Sequence, residues 1–245
     1  MKVLVFAAKG IGLRCLEGLR QNFADDDYFV VACEPDQGAI LDFARDWGVL
    51  HKALEPEVAE ILSLGPAEEY DWLLNLWGGI IFRPALLARA KRSLNIHPSY
   101  LPTGRGRDPV VWAIREQIPA GVTLHSIVPE VDAGPIWYRE EIPYAMPIRG
   151  VELYERVTTR CWQVFIEQWP ALRARTSPPE PQGEGPPAHL RKELFADRDL
   201  DYDDPSVRKV VLTLLAHDFL PDYGARIRIE GCLYEASIAL KPITE

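Results

Sequence analysis

Lys2-Val-Leu-Val-Phe-Ala-Ala-Lys-Gly-Ile-Gly12 opens the chain with an unbroken apolar run closed by glycines. A continuous β-prone run, rather than an alternating one, is what a strand covered on both faces requires. Gly10-Ile11-Gly12 reads as the turn, after which Leu13, Leu16 and Leu19 recur at helical spacing to about Asn22. Outward from there the punctuation repeats. Strands fall at 29–33, 72–76 and 93–97. Helices fall at 39–47, ended by Gly48, at 56–64, with Pro56 in its first turn, and at 84–90. Strands spaced by helices predict an α/β fold: a Rossmann-like, mostly parallel sheet with helices on both faces.

Further along, 108–117 reads as a helix carrying Trp112, and 121–128 and 136–142 as strands. A long helix starts at Val151, with Leu153, Val157, Cys161, Val164, Phe165 and Trp169 on its apolar side. Residues 176–187 hold five prolines and two glycines, the composition of a linker or of a surface-pinned connection. Asp203-Asp204-Pro205-Ser206 looks like a helix start, with 207–216 as the helix. Residues 225–230 and 232–238 form a β-hairpin about Gly231. The expected organisation is a domain at 1–175, a Pro-rich linker at 176–189 and a small helix and β-hairpin region at 190–245.

The 245 residues are 47% hydrophobic and 26% charged, which is ordinary globular composition. Against 36 acidic residues stand 27 basic ones, and the net charge of −9 argues against a broad nucleic-acid-binding surface. Cys15, Cys33, Cys161 and Cys232 lie far apart with no CxxC pair, as expected of free thiols in a reducing cytoplasm rather than of a disulfide or a metal site. The first apolar run is too short for a signal peptide, and no stretch approaches the ~18 apolar residues of a membrane span. The expectation is a cytoplasmic chain with no membrane partner.

Chemistry concentrates between Asn95 and Gly134. In the strand at 93–97 side chains alternate, so Asn95 and His97 share a face, and Pro98 ends the strand because it cannot donate to a ladder. Open α/β sheets keep their sites at such strand ends. An asparagine amide donates to an oxyanion without titrating, a histidine exchanges protons or donates when charged, and an aspartate such as Asp132 tunes the imidazole or passes a proton on. No serine or cysteine stands at matching spacing to act as nucleophile, which points to acyl transfer directly between bound substrates. His125 reads as packing and hydrogen-bonding behind the site. Gly10-Ile-Gly12 lacks the third glycine of a dinucleotide fingerprint, since Cys15 holds that place, but its backbone N–H groups suit a phosphate. Arg105, in Gly104-Arg-Gly-Arg107, is either a turn residue or an anion contact.

Leu94-Asn-Ile-His-Pro-Ser-Tyr-Leu-Pro102, Arg105-Gly106, Pro109, Trp112-Ala-Ile114, Gly121-Val-Thr-Leu-His125 and Asp132-Ala-Gly-Pro-Ile136 together resemble the folate-dependent formyltransferase family. The resemblance covers roughly residues 1–170, and more loosely the helix and hairpin of the tail. It implies that Asn95, His97 and Asp132 are catalytic and that the formyl donor is N10-formyltetrahydrofolate, with no metal. It also implies that the pterin lies along Gly78, Gly79, Ile80, Ile81 and Phe82 and against the loop Ile127, Val128, Pro129, Glu130 and Val131.

Within the family, the tRNA formyltransferases resemble this chain in the Arg-Gly, Pro and Trp-Ala-Ile stretch, whereas a catalytic domain followed by a short helix and hairpin near 200–240 resembles the sugar N-formyltransferases. The implied acceptor is a dTDP-, UDP- or GDP-linked amino deoxysugar for surface polysaccharide. Its nucleotide would lie near Lys9, Gly10 and Arg105, and the enzyme would be a homodimer. A methionyl-tRNA formyltransferase would carry a larger basic tail, and purine-pathway relatives usually lack the Arg-Gly stretch. A formyltetrahydrofolate hydrolase, a methionyl-tRNA formyltransferase-like enzyme, a transferase to a peptide or antibiotic amine, and a catalytically idle folate- or nucleotide-binding module are the alternatives. Leu214-Leu-Ala-His217 departs from the family, which commonly carries an arginine there.

Overall fold

The computed structural model describes residues 1–34, 36–54, 69–174, 178–201, 207–219, 223–229 and 231–239. The helix expected at 56–64 and the helix start at 203–206 lie outside these residues. By internal packing the chain divides into two units, one of residues 1–97, 122–140 and 158–183, the other of 98–121, 141–157 and 184–245.

The first unit is built on the sheet. Strands β1 (Lys2–Ala7), β2 (Asp27–Ala32), β3 (Leu50–Ala53), β4 (Tyr70–Leu76), β5 (Ala90–His97), β6 (Gly121–His125) and β7 (Ile136–Glu141) lie in the order β3-β2-β1-β4-β5-β6-β7. The pairs β3-β2, β2-β1, β1-β4 and β4-β5 are parallel, and β6 runs antiparallel to β5. This is the mostly parallel α/β sheet that the apolar runs predict. Strand β3 has no signal of its own: Leu50-His-Lys-Ala is mixed, Leu50 is exposed, and only pairing with β2 extends it as an edge.

Helices α1 (Lys9–Phe23), α2 (Gln37–Trp47) and α3 (Pro84–Leu87) alternate with these strands. Gly10-Ile-Gly12 is not the turn but the first turn of α1; the reversal is made one residue earlier by Lys9, at φ 56°. Gly12 is needed for approach rather than for flexibility, because a Cβ there would sit 2.8 Å from the Leu76 carbonyl oxygen. Gly48 ends α2 at φ 79°, a left-handed cap whose N–H returns to the Ala44 and Arg45 carbonyls.

The alternation of side chains sends the two faces of the sheet to different cores. On one, Trp72 packs against Trp137 at 5.3 Å and against Trp169 at 5.2 Å, the latter from the long helix α5 (Gly150–Ala174). On the other, Leu4, Phe6, Val31 and Leu73 meet Phe82 and Leu86, with Phe6 and Phe82 edge to face at 5.1 Å.

In the second unit, α4 (Pro109–Glu116), α6 (Arg191–Arg198) and α7 (Val207–Ala216) accompany a small sheet of β8 (Asp199–Asp201), β9 (Ala225–Ile229) and β10 (Cys232–Ala236). The β9-β10 hairpin turns at Gly231, φ 82°, as its sequence indicates, whereas β8, parallel to β9, and helix α6 carry no comparable signal.

The Pro-rich segment is pinned rather than free over its described part. In the first unit Glu180 and Ile136 exchange backbone hydrogen bonds at 2.7 and 2.9 Å. In the second, His189 bonds the backbone of Arg105 and Arg107 at 3.0 and 2.9 Å, and its ring stacks on Trp112 at 3.9 Å. Gly106, at φ 88°, has no room for a Cβ beside this contact.

Trp72 is 1% exposed at the centre of the tryptophan cluster. Trp72→Ala is therefore expected to destabilise the chain by about 3–5 kcal/mol in a urea unfolding titration. A loss below about 1 kcal/mol would show that the cluster does not hold this face of the sheet together.

Candidate active site

Three neighbouring strands assemble the site. Asn75 of β4, Asn95 of β5 and His125 of β6 stand side by side, because the registers pair Asn75 with Asn95 and Asn95 with His125. Asn75 Nδ2 donates to Asn95 Oδ1 at 2.7 Å. Asn95 Nδ2 then lies 2.9 Å from His125 Nε2, and His125 Nδ1 lies 2.8 Å from the Ser126 carbonyl oxygen. A carbonyl only accepts, so His125 carries its proton on Nδ1 and takes the Asn95 N–H on Nε2. At 2% exposure it sits behind the site.

His97, two residues beyond Asn95 on the same face, is 5% exposed at the carboxyl end of β5. Its Nδ1 is 3.5 Å from Asp132 Oδ2, while Asp132 Oδ1 is 3.6 Å from His125 Nε2. The carboxylate thus faces both imidazoles from a largely buried position, where attraction to a protonated His97 is stronger than in water. The structure brings Asn95, His97 and Asp132 into one cluster.

Asp132 is held at φ 49°, a left-handed conformation that a non-glycine residue keeps only when its surroundings fix it. Two features do so. Gln182 Nε2 donates to the Asp132 carbonyl at 3.0 Å and to the Gly134 carbonyl at 2.9 Å. Gly134 lies so close to Ser126 that a Cβ would be 1.8 Å from its carbonyl oxygen, and Ser126 N–H in turn bonds the Pro135 carbonyl at 2.8 Å.

The segment expected at the pterin follows β4. Gly78 is clamped by Asn75, whose Oδ1 accepts the Gly78 N–H at 2.9 Å and whose Nδ2 donates to the Gly78 carbonyl at 3.0 Å. Gly79 has open space around it, Ile80 is half-buried, Ile81 is 78% exposed, and Phe82 is turned into the core. In the other loop Ile127 N–H donates to Ser93 Oγ at 2.9 Å, Val128 is half-buried, and Pro129, Glu130 and Val131 are exposed. A cavity of about 420 Å3 adjoins Ile127 and is also lined by Leu87, Ser93, Ser126, Trp137 and Pro179. Lys9 and Gly10 form the start of α1, and Arg105 belongs to the second unit.

Two site residues escape a reading of the sequence. Asn75 has a signal in hindsight, a lone amide inside Trp72-Leu-Leu-Asn-Leu76, since buried polar groups in strands need partners. Gln182 has none, lying among prolines. Cysteine chemistry is disfavoured by burial, which pushes the Cys33 thiol up to about 12 and raises Cys15 and Cys161 well above the ordinary range. Among the described residues no group of three His, Cys, Asp or Glu side chains could hold a metal ion, and no helix is long and apolar enough to cross a membrane.

An amide donor, an imidazole and a carboxylate at a strand end of an open α/β sheet can together stabilise an oxyanion and move a proton. Residues 51–168 match the formyl transferase family model. The fold is similar over its whole length to a sugar N-formyltransferase from Shewanella sp FDAARGOS_354, with a TM-score of 0.81, 21% identity and coverage of 100% of this chain and 99% of that one. A 4-N formyltransferase from Francisella tularensis aligns with a TM-score of 0.81 and 19% identity over 99% and 98% of the two chains. The formyltransferase PseJ from Anoxybacillus kamchatkensis, solved with UDP-4,6-dideoxy-4-formamido-L-AltNAc and tetrahydrofolate, aligns with a TM-score of 0.57 and 24% identity over 88% and 98%.

Gly134→Ala is expected to force the Asp132 turn away from Ser126 and to cost about 1–3 kcal/mol, read as a lowered thermal midpoint. An unchanged midpoint would mean that the turn yields without loss.

Proposed function

We propose that the enzyme transfers the formyl group of N10-formyltetrahydrofolate to the amine of a nucleotide-linked amino deoxysugar. The observation that carries the reading is the fixed amide of Asn95 beside the His97–Asp132 pair. With its carbonyl oxygen given to Asn75 and one N–H to His125, Asn95 has its second N–H for an oxyanion. That is a donor that costs no reorganisation when charge develops.

As the acceptor amine attacks the formyl carbon, a new C–N bond forms and the formyl oxygen becomes negative. Asn95 and protonated His97 stabilise that oxygen. Asp132, 3.5 Å from His97 Nδ1, attracts the imidazolium and takes up the proton released by the attacking amine, directly or through water. When the bond between the formyl carbon and N10 breaks, that proton is passed on to N10 through water or His97, N10 leaves as the neutral amine, and no covalent enzyme intermediate is required. The folate site is assigned to Gly78–Phe82 and Ile127–Val131. The cavity beside Ile127 has a volume within the ordinary range for small-ligand pockets, and Leu87, Ile127 and Trp137 suit a flat ring system with the Ser93 hydroxyl beside it.

For the acceptor, support comes from the fold shared with sugar N-formyltransferases and from the UDP-linked formamido sugar bound to PseJ. The net charge of −9 weighs against a tRNA acceptor. Lys9 and Gly10, at the start of α1, are assigned to the nucleotide's phosphates as the family resemblance implies, and Arg105, in the second unit, is a separate candidate anion contact. The choice among dTDP, UDP and GDP and the homodimer rest on the family resemblance, and the cytoplasmic location on the widely spaced cysteines and the short first apolar run.

Incubation with N10-formyltetrahydrofolate and a panel of nucleotide-linked 3-amino and 4-amino deoxysugars is expected to yield a product heavier by one formyl group. His97→Asn should abolish it, and Asn95→Ala should lower kcat by about 100- to 1000-fold. Formate release without a sugar product would identify a hydrolase instead, and folate binding without turnover of any acceptor would point to an idle binding module.

A further inference from the structure

Asn75 lies outside every group of residues assigned above to catalysis or to substrate binding, yet it is the most constrained polar side chain near the site. It is 6% exposed within an apolar strand, and burying an amide there is costly unless its hydrogen bonds are made. Both of its N–H donors are used, one on the Gly78 carbonyl and one on Asn95 Oδ1, and its own oxygen accepts the Gly78 N–H. Because that N–H can only donate, Asn75 has one permitted orientation.

The constraint propagates across the sheet. Asn75 Nδ2 faces Asn95, so Asn95 must present its oxygen there and its NH2 group towards His125. His125 must then accept on Nε2 and donate from Nδ1, which the Ser126 carbonyl requires from the other end. The relay is thus fixed at one end by a backbone donor, Gly78 N–H, and at the other by a backbone acceptor, Ser126 C=O. Reversing any amide or tautomer between them breaks a bond at one end or the other.

We infer that Asn75 is a positioning residue for formyl transfer: it decides that Asn95 offers N–H groups, not its oxygen, to the reacting carbonyl. It also ties that choice to the backbone of Gly78. The inference rests on the formyl-transfer reading for its kinetic consequence but not for its structural one. An Asn95 amide held the other way would put a carbonyl oxygen where the oxyanion develops, and the site would repel the charge it is built to stabilise.

The substitution that separates orientation from bulk is Asn75→Asp. At alkaline pH the introduced carboxylate still accepts the Gly78 N–H but offers Asn95 only acceptors. Asn95 is then expected to turn over and present its oxygen to His125, whose proton moves from Nδ1 to Nε2 with loss of the Ser126 bond. At acidic pH the neutral carboxyl donates to Asn95 again. The first readout is nitrogen NMR of His125, which needs no turnover. In the parent protein Nδ1 is expected to be protonated and Nε2 bare. In Asn75→Asp at alkaline pH, Nε2 should gain a proton, and acidification should reverse the Asn95 orientation. A bare Nε2 in the variant at alkaline pH would overturn the inference.

The second readout is kinetic. Asn75→Asp should lower kcat by about 100-fold at alkaline pH, with recovery relative to the parent as the pH falls. In an Asn95→Ala background the same substitution should change kcat by less than about twofold, because the group it acts through is gone. Losses that multiply would overturn the positioning role. Asn75→Leu, similar in volume without a donor, should show the loss without the recovery. If the parent protein formylates no amine, formyl transfer fails while the nitrogen spectra still decide the relay.

Discussion

The side-by-side register of β4, β5 and β6 is the constraint on which the rest of this molecule depends. It places Asn75, Asn95 and His125 in one row, so that a hydrogen-bonded relay runs across three strands between two backbone groups. A slip of one residue in any of the three strands would turn its member of the row to the opposite face. Sheet register and amide orientation are therefore set together, and the apolar packing that fixes the strands also fixes which atoms face a substrate.

Around that row the fold supplies three supports of different kinds. The parallel core strands, buried on both faces, resist displacement because Trp72 and Trp169 lie beneath one face and Phe6 and Phe82 above the other. The antiparallel entry of β6 brings His125 back alongside Asn95, after which the chain turns into the Asp132 loop. That loop adopts a backbone conformation which is unfavourable in isolation, and Gln182 and the close approach of Gly134 to Ser126 hold it. A segment with the composition of a spacer thus contributes directly to the carboxylate's placement.

Much of this is legible in the sequence, and the boundary has physical causes. The strands β1, β2, β4 and β5 announce themselves because a doubly covered strand must be apolar throughout. Asn95 and His97 stand out because they interrupt such a run at a strand end, and Asp132 because it opens an Asp-Ala-Gly stretch between two strands. The start of α1 is hidden in the sequence for a specific reason: Gly10 and Gly12 look like a turn, but Gly12 lets the helix approach the Leu76 carbonyl, and Lys9 makes the reversal. Strand β3, the short β8 and the contact of Gln182 with the Asp132 loop exist only through pairing with residues distant in sequence, so no local pattern encodes them. Asn75 sits between these cases, visible as an anomaly but interpretable only when Asn95 and Gly78 are seen beside it.

The account centres on direct transfer of a formyl group at Asn95, His97 and Asp132. A single turnover with N10-formyltetrahydrofolate carrying 13C in the formyl group, run with the amino-sugar acceptor and followed by carbon NMR, tests it most directly. The account predicts that the label passes from the folate to a formamide on the sugar, with no labelled formate and no signal attached to the protein. Label appearing as formate in the presence of the acceptor, or retained on the protein as an ester or thioester, would contradict it.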